Sequence, residues 1–148
     1  MSHKTILLKG DPLHKEAKAS GTVYPGMLIE YYGSDEIVRA HATGGGRCAA
    51  MIAVENSLEG DEIGDSYTDG ERVQYVHLRP GDEFLAYIDN HETAAIGTFL
   101  ESNGNGYFRV AEPDSSVGVT VTGSVKAMAL EAKAGTGSSR SLIKAVAV

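Results

Sequence analysis

The sequence predicts a mainly β fold, a compact sandwich or barrel of about eight short strands. Eighteen glycines with only three Phe and no Trp indicate many turns and favour β structure over a helical bundle. Several segments alternate apolar and polar residues with a period of two, and Pro-Gly or Asn-Gly pairs separate them. A chain of 148 residues buries about 70% of its unfolded surface, so one self-supporting domain is expected.

The net charge of −7 is unevenly distributed along the chain. Residues 55–92 carry eleven acidic side chains against two arginines, a local charge of −9, and the remainder of the chain sums to +2. A solvated acidic face that keeps the protein soluble is one interpretation, and a basic segment that contacts an acidic surface is the other. No basic cluster is interleaved with aromatic residues, so direct binding to nucleic acid is not predicted.

Residues 1–20 are predicted to form an N-terminal arm, and residues 21–148 a β domain. The arm carries four lysines against two acids and is interrupted by Gly10-Asp11-Pro12.

Cys48 is the single cysteine, so no intrachain disulfide can form. Cys48 is expected to be a small buried side chain of a protein that stays in a reducing cytoplasm. The apolar run Ile6-Leu7-Leu8 is too short for a signal peptide or a membrane span.

The first half of the domain contains three predicted strands. Pro25-Gly26 supplies the dihedral angles of a turn and leads into β-branched and aromatic residues over 27–32. A short strand over 37–41 follows, then a flexible Gly turn at 44–46. The apolar run 47–54 fits a buried strand or a short helix by periodicity alone, and the turn signals on both sides favour the strand.

An acidic loop over 55–71 precedes the most regular strand. An EF-hand would need oxygen ligands at alternating positions and a Gly at the sixth, and frames that begin at Asp61 or Asp65 lack them. The strand over 72–78 then alternates, so that Val73, Tyr75 and His77 share one face.

The remaining elements are predicted from turn chemistry. Pro80-Gly81 turns the chain into a strand over 83–88. Two Asn-Gly pairs within 102–106 lie between apolar runs and indicate a hairpin. Further strands are predicted over 117–132 and 141–148, with a flexible Gly/Ser loop between them.

The sequence offers no constellation for catalysis, for a cofactor or for a metal. The five histidines show no i, i+2 or i, i+4 pair, and no Gly-x-Ser-x-Gly elbow occurs. The protein is therefore not predicted to be an enzyme. Seven tyrosines could stack on sugars, which leaves a carbohydrate-binding module as an alternative, although spaced strand tyrosines usually pack in the core.

The order of several segments resembles the head decoration (capsid cement) proteins of tailed double-stranded DNA bacteriophages. The resemblance rests on Glu55–Gly60, Ile63–Tyr67, Gly70–Val73 and Arg79–Glu83, followed by a hairpin over 97–106 and a C-terminal hairpin that begins near Ala129–Ala132. It covers somewhat over half of the chain. It implies a β-tulip-like fold and binding, as trimers, to the outer surface of the expanded capsid at local three-fold axes.

The same resemblance implies the partners and the site. The major capsid protein and further copies of the chain would be the partners, and the protein would be made in the cytoplasm of the host bacterium. The arm lysines Lys4, Lys9 and Lys15 are predicted to contact the capsid. Another phage structural subunit, from a tail tube or a head fibre, is the alternative within the same class.

Overall fold

A computed structural model of the chain describes residues 3–111, 125–135, 137 and 141–148. It confirms the predicted β class. The described residues form one short 3-10 helix, Ser57–Glu59, and eleven strands. The strands are β1 (Leu7–Lys9), β2 (Leu13–Ala19), β3 (Ile29–Tyr31), β4 (Ile37–Ala40), β5 (Met51–Val54), β6 (Arg72–His77), β7 (Glu83–Ile88), β8 (Phe99–Ser102), β9 (Phe108–Val110), β10 (Val125–Ala129) and β11 (Ser141–Ala147). Nowhere in these ranges does a helix reach the length and apolarity needed to cross a membrane.

The strands divide into two sheets that each curl back on themselves. The five-stranded sheet has the order β3-β4-β2-β6-β5, and a bridge between Leu28 and Ile52 joins its two ends into a closed barrel. The six-stranded sheet has the order β1-β7-β11-β10-β8-β9, and Ile88 of β7 also pairs with Phe108 of β9. Closure of the five-stranded sheet removes its open strand edges, whereas β1 stays at one end of the six-stranded sheet.

Strand β5 lies between the two cores and is buried on both faces. Met51 and Ala53 point into the barrel, whereas Ile52 and Val54 pack against the six-stranded sheet. This two-sided burial explains why residues 51–54 form a continuous apolar run instead of an alternating one. The strand interpretation of that run is confirmed.

The turn at Pro25-Gly26 joins the two sheets. Gly26 has φ +93°, and its N–H donates to Ala53 in the barrel while its carbonyl accepts the Tyr87 N–H of β7. A left-handed φ favours glycine at this position. The predicted hairpin between β8 and β9 is also present.

The N-terminal segment is part of both sheets, which corrects its description as an extended arm. β1 pairs with β7, and β2 pairs along its length with β6. Ile6 is fully buried. Ala17 and Ala19 are also buried in the barrel core, which they share with Tyr75. Charged residues at the solvent-facing positions concealed this strand in the sequence.

The C-terminal elements follow the prediction in part. The final strand, β11, is confirmed and runs between β7 and β10. β10 ends at Ala129, so the predicted continuation to residue 132 is wrong. The Leu130 N–H instead bonds to Lys144, and Lys133 bridges to Ala94. The predicted strand over 117–124 and most of the Gly/Ser loop lie outside the described residues.

Candidate interaction surface

The three lysines predicted to contact a capsid lie in three different surroundings. Lys4 lines a cleft together with acidic residues that include Glu55 and Asp61. The Lys9 ammonium lies 3.5 Å from a Glu83 carboxylate oxygen. Lys15 is placed at one end of the barrel, beside Tyr31. The structure thus gives these lysines separate neighbours, and their contact with a partner stays a prediction.

Lys15 belongs to a cluster of polar side chains centred on the Tyr31 hydroxyl. The Lys15 Nζ donates to this hydroxyl over 3.4 Å, and the Tyr75 hydroxyl lies 3.0 Å from it. The His77 Nε2 is 3.5 Å away. The rings of Tyr31 and Tyr75 meet edge to face at 6.4 Å between centroids, a favoured aromatic geometry. β2, β3 and β6 supply the four residues, which are brought together by closure of the barrel.

Burial keeps two members of this cluster in their neutral forms. Desolvation lowers the pKa of His77, and the Lys15 ammonium lowers it further. Desolvation raises the pKa of Tyr75, and its hydrogen bond with Tyr31 adds to the increase. The Lys15 ammonium is therefore the charge that the cluster presents to solvent at neutral pH.

A groove opens beside the cluster, lined by residues 11–14 and 77–79, and is here named the Leu13 groove. Its volume is about 500 Å³. Leu13 is 64% exposed although it lies at the start of a paired strand. The Arg79 guanidinium donates to the Asp11 carbonyl oxygen and so fixes one wall. The groove thus combines the exposed Leu13 side chain with one guanidinium group, that of Arg79, and one carboxylate, that of Asp11.

The acidic loop over 55–71 is held in place by its own hydrogen bonds. The Glu55 carboxylate accepts the Ile6 N–H over 2.9 Å. Asp69 accepts the Gly21 N–H over 2.8 Å. The Tyr67 hydroxyl donates to the Val54 carbonyl over 2.6 Å, and burial raises the pKa of Tyr67 to about 12. These bonds anchor the first end of the loop to the segment before β1 and its second end to the barrel.

Leu58 projects from this anchored loop and is 90% exposed. It lies in the 3-10 turn, which Gly60 ends in a left-handed conformation with its N–H donating to Ser57. An isolated exposed leucine is ordinary on a protein surface. Here, however, the side chain is held out by a fixed turn among carboxylates. The sequence analysis missed this residue, and the available signal was a leucine with polar or acidic residues on both sides.

The tyrosines do not form a broad platform for sugars. Tyr67, Tyr75 and Tyr107 are buried, and Tyr87 packs against both Tyr24 and Tyr107. Within the described ranges, the exposed tyrosines are Tyr31 and Tyr32. The Arg39 guanidinium covers the Tyr32 ring at 4.3 Å from its centroid. The described tyrosines therefore act mainly in packing.

A buried serine–histidine–glutamate arrangement serves the fold. The His41 Nδ1 lies 2.7 Å from the Ser102 Oγ, and its Nε2 is 4.0 Å from a Glu30 carboxylate oxygen. Ser102 is completely buried and also accepts the Gly104 N–H. A substrate carbonyl cannot reach a hydroxyl with no exposed surface, so the arrangement fastens the β8–β9 hairpin to the end of β4.

The remaining candidates for chemistry are the thiol of Cys48 and the side chains that could ligate a metal. Cys48 is partly buried, and desolvation raises the pKa of its thiol, which disfavours the reactive thiolate. Among the described residues, no three His, Cys, Asp or Glu side chains converge as a metal site would require.

The fold defines a class of compact, two-sheet β modules. No known family model matches the chain, and no curated protein matches it. Among solved structures, the chain is similar to the N base of the head fibre protein gp8.5 of bacteriophage phi29, with a TM-score of 0.56. The two share 17% identity over 92% of this chain and 93% of that one. At this identity the likeness establishes a common fold.

Proposed function

We propose that this chain is a non-enzymatic structural protein of a tailed-phage head, bound to the outer surface of the expanded capsid. The observation that carries the proposal is the fold shared with a head fibre base over nearly the whole length of both chains. The order of the acidic loop, the Arg79-Pro80-Gly81 turn and the β8–β9 hairpin independently resembles head decoration proteins. Both lines of support favour a structural protein associated with a phage head, and the outer surface is part of the proposal.

The proposed action is to cement the shell against the pressure of packaged DNA. A protein that binds the assembled, expanded shell and not its separated subunits stabilises the shell by mass action. Trimers at local three-fold axes would contact several capsid subunits at once, and this multivalency strengthens weak individual contacts. Lys4, Lys9 and Lys15 remain the proposed capsid contacts, now as residues of a folded surface.

A head fibre base is the second candidate, because the similar solved structure carries that name. A cement protein reinforces the shell, whereas a fibre base anchors an appendage. Electron microscopy of native heads separates the two, since a fibre base would carry a projecting appendage and a cement protein would not. Heat resistance of the heads provides a second distinction, because only the cement function requires it to increase.

Co-sedimentation with undecorated, expanded heads tests the proposal. Saturable binding in multiples of three copies per site, together with heads that survive higher temperatures, is expected for the cement function. A matched preparation of unexpanded heads is the control, because the proposal requires the expanded lattice. Absence of binding to expanded heads would contradict an exterior head function and leave the β fold alone established.

A further inference from the structure

We propose that Asn105 is a site of spontaneous deamidation in the folded protein, and that Asn103, which also precedes a glycine, is protected. Deamidation of asparagine is fastest before glycine, because glycine has no side chain to shield its nitrogen. The hairpin loop between β8 and β9 contains two such pairs, Asn103-Gly104 and Asn105-Gly106. The two pairs have the same chemistry, so their surroundings decide which of them reacts.

The reaction is an attack of the main chain on the side chain. The glycine nitrogen loses its proton to hydroxide and forms a bond to the Cγ of the preceding asparagine, and the side-chain nitrogen leaves as ammonia. Water then opens the resulting five-membered succinimide and gives aspartate or isoaspartate. The net change consumes one water and releases one ammonia. Reaction therefore requires a glycine N–H free of hydrogen bonds and an asparagine side chain that can turn towards it.

The side chain of Asn103 is held at both of its polar atoms. Its Nδ2 donates to an Asp89 carboxylate oxygen over 2.8 Å, and its Oδ1 accepts the Asn105 N–H over 2.8 Å. The Gly104 N–H donates to the Ser102 Oγ over 3.1 Å. Three hydrogen bonds must therefore break before the Gly104 nitrogen can attack, and one of them ends on a completely buried serine.

Asn105 has a single restraint of this kind. Its side chain is exposed, and no hydrogen bond from the described part of the chain reaches its side-chain amide. The Gly106 N–H donates to the His41 carbonyl over 3.0 Å, which ties the tip of the hairpin to the residue after β4. Local opening of such a tip requires less free energy than global unfolding. The Gly106 nitrogen is thus released intermittently while the fold stays intact.

Deamidation of Asn105 changes both the charge and the length of the main chain. Either product adds a negative charge to a chain whose net charge is −7. Isoaspartate also inserts a carbon atom into the main chain directly before Gly106. A Cβ at Gly106 would lie 2.9 Å from the Ala40 Cβ and 3.1 Å from the Met27 Sδ, so the main chain has little room to shift. The modified hairpin should therefore lose its bond to His41.

Peptide mapping of the full chain by mass spectrometry, after incubation at mildly alkaline pH, tests the proposal. Fragment ions assign each deamidation to one asparagine. In the folded chain, the rate at Asn103 should be lower than the rate at Asn105 by roughly tenfold or more, because its additional hydrogen bonds raise the barrier. The same chain unfolded in urea is the control, and both asparagines should then react faster and at similar rates.

Asp89→Ala tests the side-chain restraint directly. The substitution removes the acceptor of the Asn103 Nδ2, so deamidation at Asn103 should accelerate while the rate at Asn105 stays unchanged. Asn105 serves as an internal measure of stability, because opening of the whole hairpin would raise both rates. Asn105→Gln is the matched control for the assigned site and should abolish its modification, since glutamine forms the larger ring far more slowly.

Three results would overturn the inference. These are equal rates at the two asparagines in the folded chain, an Asn105 that stays as intact as Asn103 until the unfolded chain has reacted completely, or an unchanged rate at Asn103 in Asp89→Ala. Binding to expanded heads enters none of these measurements. The proposed function and the deamidation site therefore stand or fall separately.

Discussion

Replacement of Gly26 by alanine tests the junction between the two sheets. Gly26 has φ +93°, a conformation that L-residues adopt at a cost of about 1–2 kcal/mol. An added Cβ would also lie 2.6 Å from the Leu142 Cδ2 and 3.1 Å from the Leu85 carbonyl oxygen. Leu142 must therefore shift, and the β7 main chain can yield little because it is paired on both sides.

The expected loss of stability is the sum of the cost of the backbone conformation and the cost of the close contacts of the added Cβ. Overpacking of a close contact costs about 1–3 kcal/mol, so the combined destabilisation of Gly26→Ala should be roughly 2–5 kcal/mol. For a domain of this size each kcal/mol lowers the melting temperature by about 2–4 °C. Equilibrium denaturation in urea, followed by circular dichroism, measures the free energy of unfolding directly.

Gly70→Ala is the matched control for the cost of placing an alanine in a left-handed backbone conformation. Gly70 has φ +88°, and a Cβ there would meet nothing within 4 Å. Its replacement should cost only about 1–2 kcal/mol. Equal destabilisation of the two variants would refute the reasoning, because it would show that the close approach of Gly26 to Leu142 adds nothing.

Three further changes test the interior and the barrel cluster. Ser102→Ala should cost about 1–3 kcal/mol, since it removes the hydroxyl bonded to buried His41, and the free energy of unfolding measures this. Folded Tyr67 has a pKa of about 12, against 10 for an ordinary tyrosine, so the free energy of unfolding should fall between about pH 10 and 12. Tyr67→Phe should remove part of this fall when unfolding is measured over a series of pH values. The pKa of His77 in the folded protein is lowered from 6.5. The contribution of neutral His77 to stability is therefore present above pH 6.5 and is lost as the pH falls through the pKa of the folded state. His77→Gln should reduce the acid dependence of the melting temperature.

Each of these predictions has a contradicting outcome. A Ser102→Ala chain as stable as the original would show that the His41 contact carries no net free energy. An unchanged alkaline profile for Tyr67→Phe would mean that its burial does not hold the proton. An acid profile for His77→Gln that matches the original would exclude His77 as a source of the pH dependence.

Local sequence patterns determined the class of the fold and many of its strands. β6 was predicted because its side chains alternate between two faces, and a period of two records this directly. β7 was predicted because the Pro80-Gly81 turn precedes it. The Pro25-Gly26 turn and the β8–β9 hairpin were predicted from residues with special backbone preferences. These features depend on neighbours in the chain, so the sequence displays them.

Only the tertiary structure decided which strands pair and which side chains meet. β2 reads as a polar arm, yet it lies in the barrel because β6, more than fifty residues away, supplies its hydrogen-bonding edge. His41 and Ser102 are 61 residues apart and share one buried bond. The exposure of Leu13 and Leu58 likewise follows from how the sheets close. Pairing between distant segments depends on packing of the whole chain, and no local pattern records it.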